Sequence, residues 1–345
     1  MDAPPYSAAA VDVLRLPAGA TERDQVAVEE PLEIRIGGQP VAVTMRTPGH
    51  DEELALGFCL SEGLQPGEAR LPEDLAANAV DVDAPGFDAS RLQRSFYTSS
   101  SCGVCGKGAL EAVAVEEPLE IRIGGVPVAV TMRTPGHDEE LALGFCISEG
   151  LGPAAARLPD DLAANTVEVD APGFDAARLQ RSFYTSSSCG VCGKGALEAV
   201  RVDAPHVESE LHVALTVIVS LPDRLRAAQE AFAVTGGLHA TGLFEPDGSL
   251  VCAREDVGRH NAFDKVVGWA FGEGRLPLSG CVVCVSGRLS FELVQKAAVA
   301  GVPILAAVGA PSSLAVELAA DRGITLCGFV RGGGANVYTE PWRIS

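Results

Sequence analysis

Basic side chains are scarce: 26 Lys and Arg face 46 Asp and Glu, a formal net charge of −20 over 345 residues. A surface this acidic excludes a coat for nucleic acid and a docking face for anionic membrane, which both need basic residues in excess. It leaves room for one local pocket that takes an anion. Aromatic residues are few, at 5%, yet apolar residues reach 47%, too many for a disordered chain. Long apolar runs are missing. The stretches near 297–310 and 211–221 are broken by Gly301 and Pro303 or are too short to cross a bilayer. The first 26 residues carry Asp2, Asp12, Glu22 and Asp24 without an apolar run, so they lack the features of a secretory signal. A cytoplasmic protein is expected. Its ten cysteines then read as core residues, metal ligands or reactive thiols rather than a disulfide framework.

What is present, first of all, is a repeat. Residues 27–113 recur as 114–200 at an offset of 87, with nine differences, among them Gln39/Val126, Leu60/Ile147 and Glu68/Ala155. Solenoid repeats are shorter and diverge more, so this reads as a recent tandem duplication of one unit, or as an error in assembling the gene. The organisation expected is a flexible segment 1–26, two copies of a β-rich unit at 27–113 and 114–200, and an α/β domain at 201–345 that binds the ligand. The second copy, contiguous with residue 201, is expected to pack on that domain. The first is then a spare of low stability, or swaps between subunits.

Each copy opens with a hairpin pattern, Leu32–Ile36 turning at Gly37-Gly38 into Val41–Met45. A helix with acids in its first turn follows, from His50 to about Glu62, and then a short strand near Phe96–Thr98. The tail alternates: strand 211–219, helix 222–234, strands 238–244 and 250–254, helix 259–271, strand 280–286, helix 290–300, strand 303–308, helix 311–322 and strand 324–330. That order implies a largely parallel sheet, with ligands beyond the carboxyl ends of its strands.

The sharpest local signal is Ser-Ser-Ser-Cys-Gly-Val-Cys-Gly-Lys, at Cys102/Cys105 and again at Cys189/Cys192. Backbone N–H groups and Lys107 or Lys194 favour a thiolate there, the reactive form for sulfur or electron relay. A Cys₄ zinc site, a thioredoxin-like pair and a structural pair are the alternatives. Cys281 and Cys284 lie in an apolar strand and read as core, as do Cys252, Cys327, Cys59 and Cys146. In the tail, Arg254, Arg259 and His260 fall in a polar run at a helix start, and Arg288 caps the next helix. Thr235–His239 adds a Gly-Gly loop. Phe329-Val330-Arg331-Gly332-Gly333-Gly334 ends the last strand, where glycines admit a close ligand and Arg331 offers a fork to phosphate or a guanine edge. Together these describe a nucleotide-like pocket.

Thr47-Pro-Gly-His-Asp-Glu-Glu-Leu, Ser-Cys-Gly-Val-Cys-Gly-Lys, Thr-Gly-Gly-Leu-His-Ala, Arg-Glu-Asp-Val-Gly-Arg-His-Asn and Ser-Gly-Arg-Leu-Ser-Phe-Glu resemble, in order, the formate dehydrogenase accessory sulfurtransferase family (FdhD). The duplication departs from its single unit. The resemblance implies a homodimeric sulfurtransferase that accepts persulfide sulfur from a cysteine desulfurase. It hands that sulfur to the molybdenum bis(molybdopterin guanine dinucleotide) cofactor, bound as a substrate, before the cofactor enters the formate dehydrogenase catalytic subunit. No permanently bound metal is implied. By motif, Cys189 would carry the persulfide and Cys192 assist, with Cys102 and Cys105 their duplicates. The dinucleotide would lie near Phe329–Gly334, with His239, Arg254, Arg259, His260 and Arg288 as further wall. The tail would have a cytidine-deaminase-like shape without the deaminase zinc ligands: Ala240-Thr241 follow His239, and no Pro precedes Cys281. A chaperone that binds the cofactor without moving sulfur, or a thiol–disulfide oxidoreductase, are the competing classes.

Overall fold

The computed structural model describes residues 7–61, 64–71, 78–84, 98–99, 115–159, 165–174, 186–187, 202 and 204–345. Its centre is an eight-stranded sheet. The three strands in its middle, β15 (Val282–Val285), β16 (Ile304–Ala307) and β17 (Thr325–Arg331), run parallel. Their sequences are near-continuous apolar runs because both faces are covered. Period-two alternation sorts the side chains: Val283, Val285, Leu305 and Leu326 enter one core, and Val282, Cys284, Ile304 and Cys327 enter the other. Helices α6 (Arg259–Gly272), α7 (Phe291–Val299) and α8 (Ser313–Asp321) cover the first face. Helices α3 (Leu215–Ile218) and α4 (Leu221–Ala227) cover the second, followed by α5 (Glu230–Thr235).

Three expectations are corrected. Outside the parallel core the sheet is antiparallel: β13 (His239–Phe244) and β14 (Leu250–Asp256) flank one side, and β18 (Gly334–Thr339) turns back on β17 at the other. Within the segment 1–26, expected to be flexible, the chain forms β1 (Ala8–Leu16) and β2 (Ala20–Ala27, ending one residue into the first copy), which extend the sheet from β18. Val13 and Val26 are buried there, and that burial orders the pair despite its polar partners. The strand expected over 211–219 contains helix α3 instead, and the helix expected over 222–234 is two helices broken at Ala228-Gln229. Apolar runs this short do not discriminate strand from helix.

The two copies fold alike. In the first, β3 (Glu30–Ile36), β4 (Gln39–Arg46), β5 (Ala69–Arg70) and β6 (Ala79–Val82) form a four-stranded sheet with α1 (Asp51–Ser61) on it. The second repeats this with β8 (Glu117–Ile123), β9 (Val126–Arg133), α2 (Asp138–Ser148), β10 (Ala155–Arg157) and β11 (Thr166–Asp170). Each has the same internal clasp: Arg46 bonds Glu30, Asp51 and Asn78, and Arg133 bonds Glu117, Asp138 and Asn165. Two short strands cross between copies. β7 (Thr98–Ser99) lies against β9, β12 (Ser186–Ser187) lies against β4, and the two pair in parallel. Among the described residues, no helix is long and apolar enough to cross a membrane.

Candidate functional site

The second copy is docked on the tail by α2 against α6. Gly144 and Gly268 permit it: a Cβ on Gly144 would overlap the Asp264 carbonyl, and one on Gly268 the Glu140 carbonyl. Polar contacts frame this close crossing. The Arg254 guanidinium is bidentate on Glu140, at 2.5 and 2.8 Å. Asn261 donates to the Met132 carbonyl (2.7 Å) and accepts from Thr131 (3.1 Å). Asp256 accepts from the Thr134 amide, and buried Lys265 bridges Asp256 (2.7 Å) and the Thr134 carbonyl (2.9 Å). Much of the polar run after Arg254 thus holds the amino-terminal unit. Arg254 itself lines neither of the two cavities described next.

The larger cavity, about 540 Å³, opens between the α4–α5 segment and the carboxyl ends of β15 and β17. His239, Ser286, Val330, Arg331, Gly332 and Gly333 line it. The turn that brings the last of these together needs positive φ at Gly332 (59°) and Gly333 (80°). Phe329 also has positive φ (52°), and Arg331 stands over its ring at 5.5 Å. The opposite wall carries residues the sequence reading took only as helix: Asp223, Arg226, Gln229 and Phe232. Arg226 stacks on Phe232 at 3.7 Å. Gln229 is buried, and its Nε2 has no hydrogen-bond partner among the described residues, so it offers a donor to a ligand. No signal in the sequence marked it, since Gln229 fell inside the continuous helix expected over 222–234.

His239 lines the larger cavity and lies near the arginines of a smaller one. Burial first, then the positive charge of Arg259, His260 and Arg288, pushes its pKa down to about 4. Above pH 6.5 folded and unfolded chains both hold a neutral ring. As pH falls from 6.5 to 4 the unfolded chain takes up a proton that the folded one refuses. His239→Gln is therefore expected to remove about 3 kcal/mol of acid destabilisation over that range. Denaturant titrations of both proteins between pH 4 and 7 check this; parallel pH curves would count against it.

The smaller cavity, about 210 Å³, lies between the tail and the first copy, and is lined by Arg259, His260, Arg288, Glu292, Glu29 and Arg46 among others. His260 Nε2 lies 2.8 Å from Glu292 and 3.3 Å from Ser290 Oγ. Glu29 accepts from the Phe291 amide and Ser312 Oγ, which fastens the start of the first copy to the tail. The expected wall residues therefore divide: His239, Val330, Arg331, Gly332 and Gly333 in the large cavity, Arg259, His260 and Arg288 in the small one. Phe329 and Gly334 belong to the turn between β17 and β18.

Cys102, Cys105, Cys189 and Cys192 lie outside the described residues, as do Lys107 and Lys194. The six described cysteines are all buried. Burial raises every one of their pKa values, to about 12 for Cys284 and Cys327, so these are inert core thiols. Cys281 and Cys284 enter opposite cores, as their spacing in a strand requires.

A doubly covered α/β sheet with a ligand-sized cavity at its strand ends, carrying thiol-bearing units at its amino-terminal side, is the class of molecule these features define. The chain belongs to the FdhD/NarQ family, whose model matches residues 27–114 and again 114–345, once for each copy. It is 53% identical over 256 residues to the sulfur carrier protein FdhD of Streptomyces avermitilis, covering 68% of this chain and 89% of that protein. The protein of the same name from Mycobacterium tuberculosis is 51% identical over 257 residues (68% and 92%), and that from Sulfolobus acidocaldarius 43% over 233 (67% and 90%). Among solved structures, a putative formate dehydrogenase accessory protein from Desulfotalea psychrophila is similar with a TM-score of 0.53 and 27% identity, over 68% of this chain and 90% of that one.

Proposed function

We propose that this protein is a cytoplasmic sulfur carrier that serves formate dehydrogenase. It takes persulfide sulfur from a cysteine desulfurase and delivers it to the molybdenum bis(molybdopterin guanine dinucleotide) cofactor, which it binds as a substrate. The observation that carries this reading is the family match, which spans both Cys-x-x-Cys units together with the tail that holds the cavity. In the loading step, the Cys189 thiolate attacks the outer sulfur of the donor persulfide. One S–S bond breaks and one forms, the donor leaves as a thiolate, and Cys189 becomes the persulfide; Cys102 repeats this in the duplicate. The Arg331–Gly333 turn and His239 face a dinucleotide in the large cavity, where Asp223 and the spare donor of Gln229 suit the edge of a guanine. Arg259 and Arg288, which line the smaller cavity, offer a separate place for a phosphate group.

The test is peptide mass spectrometry after incubation with a cysteine desulfurase and cysteine. One added sulfur atom on Cys189 is expected, lost in Cys189→Ser. The double variant Cys102→Ser/Cys189→Ser is expected to leave formate dehydrogenase without activity. Full activity in that double variant would instead favour a cofactor chaperone that moves no sulfur.

A further inference from the structure

The duplication presents one docking surface twice, and the structure fills it once. On α2, Glu140 binds Arg254, Gly144 touches the backbone of α6, Ile147 packs on the tail core and Ser148 donates to Asp264 (2.8 Å). On α1 the corresponding positions are Glu53, Gly57, Leu60 and Ser61, with only Leu60/Ile147 differing. Here Glu53 is exposed, a Cβ on Gly57 would meet nothing within 4 Å beyond its own helix among the described residues, and Leu54 and Leu60 are 39% and 63% exposed. The duplicate of Leu54, Leu141, is 1% exposed. The same sequence is therefore core in one copy and bare apolar surface in the other.

The first copy is held on its own tail at a different place. Only Val28 and Glu29 separate β2 from β3, Glu29 is bound to Phe291 and Ser312, and Met45 is part of the tail core. With its unit fixed there, α1 does not reach the α6 of its own tail. A surface built to bind that helix, with Glu53 set for Arg254, is thus left facing outward.

We propose that the exposed face of α1 docks on helix α6 of a second copy of this chain, so that the protein dimerises by exchanging amino-terminal units. In a second molecule α6 is occupied by its own α2, and the competitor offers nearly the same contacts. Exchange therefore conserves the number of docked helices. Reciprocal exchange closes the assembly as an isologous pair, and protein concentration sets its population.

Sedimentation velocity of the full chain over a concentration series tests this. Arg254→Glu with Glu53→Arg matches the first copy to α6 and mismatches the second. Arg254→Glu with Glu140→Arg does the reverse. The first chain is expected to dimerise at least ten-fold more tightly than the second, and Gly57→Leu added to it is expected to abolish the dimer. Gly57 is open to solvent, so that change threatens no packing. Should either double variant fail to fold, Gly57→Leu in the native chain decides: it must remove concentration-dependent dimers that the native chain forms. Equal association of the two charge-swapped chains, or dimers indifferent to Gly57→Leu, overturns the proposal.

Discussion

Gly144→Ala is expected to destabilise the docked protein by about 2–4 kcal/mol, whereas Gly57→Ala stabilises it by about 0.5–1 kcal/mol. The two glycines are the same residue of the same helical sequence, so propensity and local context cancel. Alanine in a helix interior loses less conformational entropy than glycine, and at Gly57 nothing stands where the methyl goes. At Gly144 the methyl would enter the backbone of α6 at Asp264, and a backbone cannot rotate aside as a long side chain does. The helices must separate, and Glu140, Ser148 and Ile147 lose their partners together. Denaturant unfolding with hydrogen exchange over 259–272 reads both effects. Changes of the same sign in the two variants would mean that the α2–α6 crossing does not hold the second copy in place.

Lys296→Met carries a comparable loss, about 3–5 kcal/mol, by leaving a carboxylate buried without its cation. Lys296 Nζ lies 2.8 and 2.9 Å from the two oxygens of Asp264, and both side chains are almost wholly buried. Burial alone lowers the ammonium pKa, but Asp264, Glu149 and Glu292 outweigh it and raise the pKa above its ordinary value. Asp264 is also the residue on which Ser148 and Gly144 of the second copy rest. Removing the ammonium therefore weakens the tail core and the docking of the second copy at once. Lys296→Met/Asp264→Leu is expected to recover part of the loss, because the Asp264 carboxylate is then not left buried without its cation, while Glu149 still loses the nearby ammonium. A single variant within about 0.5 kcal/mol of the native protein would show the pair to be solvated rather than buried.

Much of the tail was legible. The hairpin His239–Phe244/Leu250–Asp256, the three parallel strands and the helices between them follow from apolar runs set between glycine and proline breaks. The missed strands share one cause. β1, β2 and β18 are partly polar strands whose order comes from pairing with one another at the sheet edge, and no local pattern encodes a distant partner. At the site, the Arg331–Gly333 turn and His239 were visible because glycine pairs and lone functional side chains stand out in a sequence. Gln229 and Asp223 were not, because only the fold places them on the wall of the cavity. Arg254 misled for the opposite reason: a cation in a polar run looks the same whether it awaits a ligand or already holds Glu140.

The chain alone settles the duplication, the acidic balance, the motif order and therefore the family, since each is a property of residue identity and spacing. It also identifies the buried cysteines, because an apolar strand or helix face admits nothing charged. What it leaves open is the fate of two near-identical units. Glu53 and Glu140, Gly57 and Gly144, Leu54 and Leu141 are the same letters in the same local setting. Only the three-dimensional arrangement, in which a single α6 accepts one helix by backbone contact, makes one of each pair core and the other surface. Docking is a competition for one site, and such a competition is a property of the whole molecule rather than of either segment.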